Sequence, residues 1–331
     1  MRYLPSSAHS AYSDLLTSLL EAPPPSRGVS AFTRKVKGRD YWYVQSVLSE
    51  RKASVYLGPD DEQTRSLVAR AKTAWDADEV DHPVRERLVA TCIAAGCWTP
   101  SPGDMRVYEA LAQAGVFAIG SVLVGTHAFL NLGNVLGVRW DPGTTATEDI
   151  DIAKDTNLQV ATPDAATDLL AALRAQEPAF LPVPAFDHEQ PSTSYKVRGK
   201  KVSVSLLTPG DEAVDPRPVP IAGLGAAAQP MRHLRFLIED SITAAVSYGR
   251  GVLIRLPDPA RFAIHKLAVS QLREPAFATK AQKDLAQARA IIEVLERTNP
   301  TSIANAVHAA TLVDEPFYQL VETGRQLLAA G

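Results

Sequence analysis

Apolar residues recur at helical spacing over residues 7–21 (SAHSAYSDLLTSLLE), and Pro23-Pro24-Pro25 marks where that helix must stop. From residue 30 the pattern changes to alternation. The runs 40–48 (DYWYVQSVL) and 52–58 (KASVYLG) meet at Ser49-Glu50-Arg51 and predict a β-hairpin over about 40–58. Residues 60–96 return to helical spacing and read as two helices, the first capped by Asp60 or Asp61 and the second entered at Pro83. Residues 102–114 predict one more amphipathic helix.

The stretch Gly115–Lys154 is patterned differently from everything before it. Val116–Ile119 is a short apolar run that reads as a buried strand; it breaks at Gly120-Ser121 and continues as an apolar helix to about Leu136. The stretch closes on Glu148-Asp149-Ile150-Asp151-Ile152, where carboxylates and isoleucines alternate with the period of a strand. Beyond it a helix is predicted at about 163–176. Strands follow at 193–198 and 201–207 around a Gly199-Lys200 turn, with short strands at 234–238 and 252–256. Helices then fill about 258–272, 278–297, 301–311 and 315–329. The expected class is α+β: a helical N-terminal region carrying a hairpin (1–100), a mixed-sheet core (101–257) and a C-terminal helical bundle (258–331).

Two carboxylates on one strand face make a poor core, because like charges so close repel unless a cation lies between them. Asp149 and Asp151 therefore read as ligands for a divalent metal with oxygen ligands, Mg²⁺ or Mn²⁺. The bland counterpart is a solvated edge strand, against which the flanking isoleucines argue. A Gly120-Ser121 turn opening a helix would offer free backbone N–H groups to a phosphate, a geometry it shares with an ordinary N-cap. Metal pair plus phosphate cradle points to phosphoryl or nucleotidyl transfer. Arg139 is read either as a phosphate ligand or as a surface ion-pair partner.

Composition narrows the setting. The chain has 331 residues, 46% hydrophobic and 21% charged, as expected of a soluble globular protein. A net charge of −3 leaves no global cationic field, so any nucleic-acid contact must come from local patches. Two such patches exist: Arg34-Lys35-Val36-Lys37-Gly38-Arg39, followed by Tyr41-Trp42-Tyr43, and residues 196–201 (KVRGKK). A solvated edge and a small hairpin core is the plainer reading of the first. Cys92 and Cys97 fall five residues apart in one helical segment and are expected on different faces, so no disulfide is predicted. With no membrane-spanning run and no signal-peptide pattern, a cytoplasmic setting is expected.

The order Gly120-Ser121, helix, then Asp149-Ile150-Asp151 resembles the signature of the DNA polymerase β-like nucleotidyltransferase superfamily. The gap here is longer than that superfamily's usual one and holds Leu136-Gly-Val-Arg-Trp140 and a loop ending in Thr147. Arg139 and Thr147 narrow the resemblance to AbiEii-type enzymes, which include toxins of type IV toxin–antitoxin systems, and to a related bacterial family. Residues 261–273 (RFAIHKLAVSQLR) and Lys283-Asp284 resemble the two tail helices of that branch. The resemblance implies catalytic roles for Asp149, Asp151, Lys266 and Asp284, and nucleotide contacts from Gly120, Ser121, Arg139, Thr147 and Lys283. It implies ATP or another nucleoside triphosphate as donor. RNA, tRNA foremost, is the implied acceptor, and a cognate antitoxin protein a partner. Lys266 would otherwise snorkel out of its helix, and Asp284 would only pair with Lys280 one turn back.

One position departs from the superfamily. Where a later strand usually carries a third carboxylate, this chain has Ser203 or Ser205. Serine is a feeble base. Three readings stand open: Asp284 supplies the acid, the protein binds nucleotide without turnover, or the serine is an introduced change that disables catalysis.

Overall fold

Small residues and leucines on one face of the first helix determine how the chain begins to pack. In the computed structural model, which describes residues 1–22, 29–48, 51–141, 149–156, 168–185, 187, 189–221 and 223–330, α1 (Ser6–Glu21) lies against α2 (Glu62–Ala94). Ala8, Ala11 and Leu15 pack there on Val89 and Cys92. Asp61 caps α2, accepting from the Thr64 N–H at 2.8 Å. Pro83 lies inside this single 33-residue helix and is exposed, so the two predicted helices are one. The flanking turns hold the helix across a residue that cannot donate its own N–H.

The chain leaves α2 through Gly96, at φ +99, which turns it back so that the Cys97 N–H bonds the Cys92 carbonyl at 2.9 Å. That reversal brings the two free thiols into hydrogen-bonding contact instead of onto separate faces.

Ahead of α2, the predicted hairpin has a third member. β2 (Val29–Val36), β3 (Arg39–Leu48) and β4 (Arg51–Pro59) form an antiparallel sheet whose first turn, at Lys37-Gly38, takes positive φ at both residues. β1 (Arg2–Tyr3) pairs instead with β6 (Val138–Arg139).

The central sheet begins after α3 (Pro102–Gln113). Its strands are β5 (Val122–Val124), β7 (Asp149–Ala153), β8 (Phe180–Pro182), β9 (Ser194–Val197), β10 (Ser203–Pro209), β11 (Val219–Ile221) and β12 (Ala226–Met231). β7 lies between β5, antiparallel to it, and β10, parallel to it. The far edge of β10 is shared by β9 and β12. α4 (Gly125–Val135) follows β5 and is buried along its length; α5 (Leu169–Gln176) packs on α3.

Two sequence expectations shift here. Residues 116–119 are turn, and the strand comes at Val122–Val124. Residues 234–238 are a helix, α6 (Leu234–Ile238), and an unpredicted strand β13 (Ser241–Val246) pairs with β14 (Val252–Pro257). A short apolar run shows no period by which strand and helix can be told apart.

Helices α7 (Pro259–Gln271), α8 (Ala278–Thr298), α9 (Pro300–Thr311) and α10 (Glu315–Ala330) complete the chain. α7 is buried nearly all round, and α8, α9 and α10 pack against it. Phe262, Ile264 and Leu267 each contribute about 1.5–3 kcal/mol by leaving water. One hydrophobic core runs from Met105 to Val321, so the tail helices and the sheet share it. The architecture is the α+β one expected. No helix among the described residues is long and apolar enough to cross a membrane.

Candidate active site

β7 carries the carboxylate pair. Its buried residues Ile150 and Ile152 face the core, which turns Asp149 and Asp151 together to the opposite face. Asp149 is exposed, and its Oδ1 accepts a hydrogen bond from the Ser203 hydroxyl on β10. Asp151 is set deeper. Burial, with the repulsion of Asp149, pushes its carboxyl up to about 6, against the pull of Lys266, Lys280 and Arg273.

The strand β5 delivers a helix start to the same place. Gly125 opens α4 at φ +67, and a Cβ at this position would stand 2.5 Å from Asp151 Oδ2. Only glycine therefore lets the backbone approach the carboxylate so closely. The N-cap residue of α4, Val124, supplies no side-chain cap to the first turn, Gly125-Thr126-His127, the kind of helix start that suits an anion. His127 is buried in that turn. Its Nδ1 bonds the Tyr108 hydroxyl at 2.7 Å, while Nε2 has no hydrogen-bond partner among the described residues. Burial pushes His127 down to about 4, with Asp104 and Asp149 opposing.

The tail contributes positive charge to the same neighbourhood. Lys266 on buried α7 bonds Asp284 Oδ1 on α8 at 2.5 Å, and Arg273 reaches Asp284 Oδ2 through Nε and Nη2 at 3.1 and 3.0 Å. Burial alone would raise Asp284, but Lys266 and Arg273 outweigh it and hold the carboxyl below its ordinary value. Burial lowers Lys283, aided by Lys266 and Lys280 and opposed by Asp284 and Asp149. Four cations, Lys266, Arg273, Lys280 and Lys283, thus share one electrostatic neighbourhood with Asp149 and Asp151.

Of the expected residues, Asp149, Asp151, Lys266, Lys283 and Asp284 come together. Asp284 pairs with Lys266 and Arg273 rather than with Lys280. A carboxylate so occupied orients two cations; it is not poised to take a proton.

Gly120-Ser121 does not open a helix. Gly120 lies in a turn at φ +85, and the Ser121 N–H bonds the Val116 carbonyl at 3.2 Å. The Ser121 hydroxyl is wholly buried ahead of β5, without a hydrogen-bond partner among the described residues. The place foreseen for it belongs to Gly125-Thr126. The signal was present in the sequence as a glycine between the apolar run Val122–Val124 and the apolar helix. Arg139 also lies elsewhere, past the other end of α4, about 16 Å of helix away. There its Nη1 faces the Gly96 carbonyl at 3.5 Å. Thr147 falls outside the described residues. Arg273 and Lys280 are site cations that sequence reasoning did not assign.

The third-acid position holds serine on both readings of where that position lies. In the parallel register of β10 with β7, Ser203 lies opposite Asp149 and Ser205 opposite Asp151. Ser205 shares a hydrogen bond with Ser194 at 3.2 Å. Among the described residues no group of three or more His, Cys, Asp or Glu side chains gathers to hold a metal. Two adjacent carboxylates, one pushed toward its protonated form by burial and then by the other's charge, are nonetheless a donor set that suits Mg²⁺, which commonly takes one or two protein carboxylates and completes its shell with phosphate and water.

A strand, a glycine-opened helix and an adjacent Asp-x-Asp strand, with cations in the same electrostatic neighbourhood, have the chemistry that phosphate and metal call for, and comparison with known families gives the class. A family model described as Nucleotidyltransferase matches residues 104–311, more than half of the chain. The structure of an antigenic nucleotidyltransferase-like protein from Paracoccidioides brasiliensis is similar at a TM-score of 0.35 and 16% identity, covering 65% of this chain and 91% of that one. No curated protein sequence matches. The chain belongs to this nucleotidyltransferase family, and it is an enzyme of nucleotidyl transfer.

Proposed function

We propose that the protein transfers a nucleoside monophosphate from a nucleoside triphosphate to a hydroxyl of RNA, tRNA foremost, with Mg²⁺ or Mn²⁺ held by Asp149 and Asp151. The observation that carries this is the placement of that carboxylate pair against the uncapped start of α4 and within the electrostatic reach of the cations of the tail. The first-turn N–H groups of α4 hold phosphate oxygens, and Lys266, Lys280, Lys283 and Arg273 hold the remaining triphosphate charge. The acceptor oxygen forms a bond to the α-phosphorus as the bond to the bridging oxygen of pyrophosphate breaks, and the acceptor proton leaves to solvent. When bound, the divalent ion neutralises phosphate charge and makes the acceptor hydroxyl more acidic, which lessens the need for a third carboxylate. Asp284 keeps Lys266 and Arg273 aimed into the site.

Incubation with labelled nucleotides, Mg²⁺ and total RNA should give labelled RNA, and none after Asp149→Asn or Asp151→Asn. Label that survives both changes would sink the assignment. Label appearing instead on protein or on a small molecule would move the acceptor and leave the transfer. A second reading, nucleotide binding without turnover, is favoured by Ser203 and Ser205 standing where an acid is expected. Calorimetric binding of nucleotide without transfer to any acceptor would select it. The likeness of the tail helices to AbiEii-type enzymes extends the proposal to a toxin-like role with a cognate antitoxin. Expression in a bacterial host should then arrest growth, and Asp149→Asn should abolish the arrest.

A further inference from the structure

The sheet β2–β3–β4 has two unlike faces. One packs on α2: Trp42 Nε1 bonds Asp60 Oδ1 at 2.7 Å, Lys72 sits over the Trp42 ring, and Gly58 fits closely against Thr64. The other face carries Phe32, Tyr43 and Tyr56, one from each strand and mutually in register, with Tyr41 beside Tyr56. Ring centroids are 5.8 Å apart for Phe32–Tyr43, 5.7 Å for Tyr43–Tyr56 and 5.9 Å for Tyr41–Tyr56. Tyr56 is 53% exposed. Phe32, Tyr41 and Tyr43 are half-buried, and among the described residues the sheet's main helical neighbour, α2, lies on the Trp42 side.

Charge completes the picture. Arg34, Lys35, Lys37 and Arg39 are all exposed at the tip of this sheet and Asp40 is the one carboxylate among them, in a chain whose overall charge is −3. Aromatic faces ringed by arginine and lysine suit unstacked bases and phosphates, whereas a protein-docking patch is depleted of charge at its centre. Three strands spaced about 4.8 Å apart offer a platform of roughly two or three nucleotides.

We propose that this face of the β2–β3–β4 sheet binds single-stranded nucleic acid, stacking bases on Tyr43 and Tyr56 while Arg34 and Arg39 hold phosphates. The inference rests on the RNA-acceptor reading above only for what the bound strand is used for; the binding itself stands apart from transfer. Fluorescence anisotropy of the full chain with labelled oligouridine, at low and physiological salt, tests it. Tyr43→Ala with Tyr56→Ala should weaken binding about tenfold or more. Arg34→Ala with Arg39→Ala should flatten the salt dependence by about 1.4, near 0.7 for each phosphate that an arginine no longer neutralises. A blunt RNA duplex should compete poorly. Should the double tyrosine variant melt early, the exposed Tyr56→Ala alone should still weaken binding several-fold. Absence of strand binding by the intact chain at low salt would overturn the proposal, as would unchanged binding by a well-folded Tyr56→Ala variant. Asp149→Asn should bind the strand as the intact chain does, so a failed transfer reading and a failed platform give different results.

Discussion

Gly125 and Asp151 meet so closely that each limits what the other position can hold. Gly125→Ala would drive a methyl group into Asp151 Oδ2 at a backbone φ that side chains disfavour. We expect a loss of about 1–2 kcal/mol in urea melts and a collapse of label transfer, with the circular dichroism of the fold retained. Transfer at the intact chain's rate would show that the α4 start is not part of the site. Half-buried Asp151 and buried Asp284 should part company under mutation. Asp151 is held in a state that disfavours its own charge, so Asp151→Asn should leave stability unchanged or slightly raised while transfer disappears. Asp284 is the partner of two cations. Asp284→Asn should therefore cost on the order of 3 kcal/mol by leaving Lys266 without its counter-charge in a buried setting. Equal melting shifts for the two variants would contradict this division of roles.

At the scale of elements, what the sequence made legible was whatever had a long period or a marked residue type. The Asp149–Asp151 strand and the tail helices were readable because alternation and helical spacing extend over enough residues, whereas Lys266 and Asp284 on those helices were marked only by the family resemblance. The start of α4 was misplaced by five residues because Gly120 and Gly125 look alike in sequence. Only pairing of β5 with β7 shows which glycine touches the carboxylate. Arg139 was drawn in by its neighbourhood in sequence, but α4 carries it to the other end of the helix from the site. α6 was read as a strand because five residues are too few to show either period, and the hairpin lacked β2 because its basic residues masked an alternating strand. Pro83 gives an independent test of the continuous α2. It is exposed within the helix, so Pro83→Ala should restore a backbone hydrogen bond and raise stability by about 1–3 kcal/mol. A fall in melting temperature would mean that the proline ring itself is needed for packing.

At the scale of the whole molecule, one acid-sensitive group lies in the core where the tail helices pack together. His265 on α7 is fully enclosed and its Nε2 has no hydrogen-bond partner among the described residues. Burial pushes it from 6.5 down to about 3; Lys266 beside it, His233 ahead of α6 and Arg273 beyond α7 act in the same direction, and Asp284 on α8 opposes. The folded protein thus refuses a proton that the unfolded chain accepts, and between pH 6.5 and 3 the unfolded state binds more protons at this group. Its contribution to stability is complete above pH 6.5 and is lost as the pH falls through that window, by up to about 1.4 kcal/mol for each pH unit. His265→Gln carries no titrating group, so its stability should fall less steeply with acid than that of the intact chain. Urea denaturation of both proteins at a series of pH values in a metal-free buffer measures the difference directly. The two curves should run parallel above pH 6.5 and converge below it. Curves that stay parallel down to about pH 4 would show that His265 takes up its proton at the same pH in the folded and unfolded states, and that the core joining α7 to α8 admits a charge that this packing excludes.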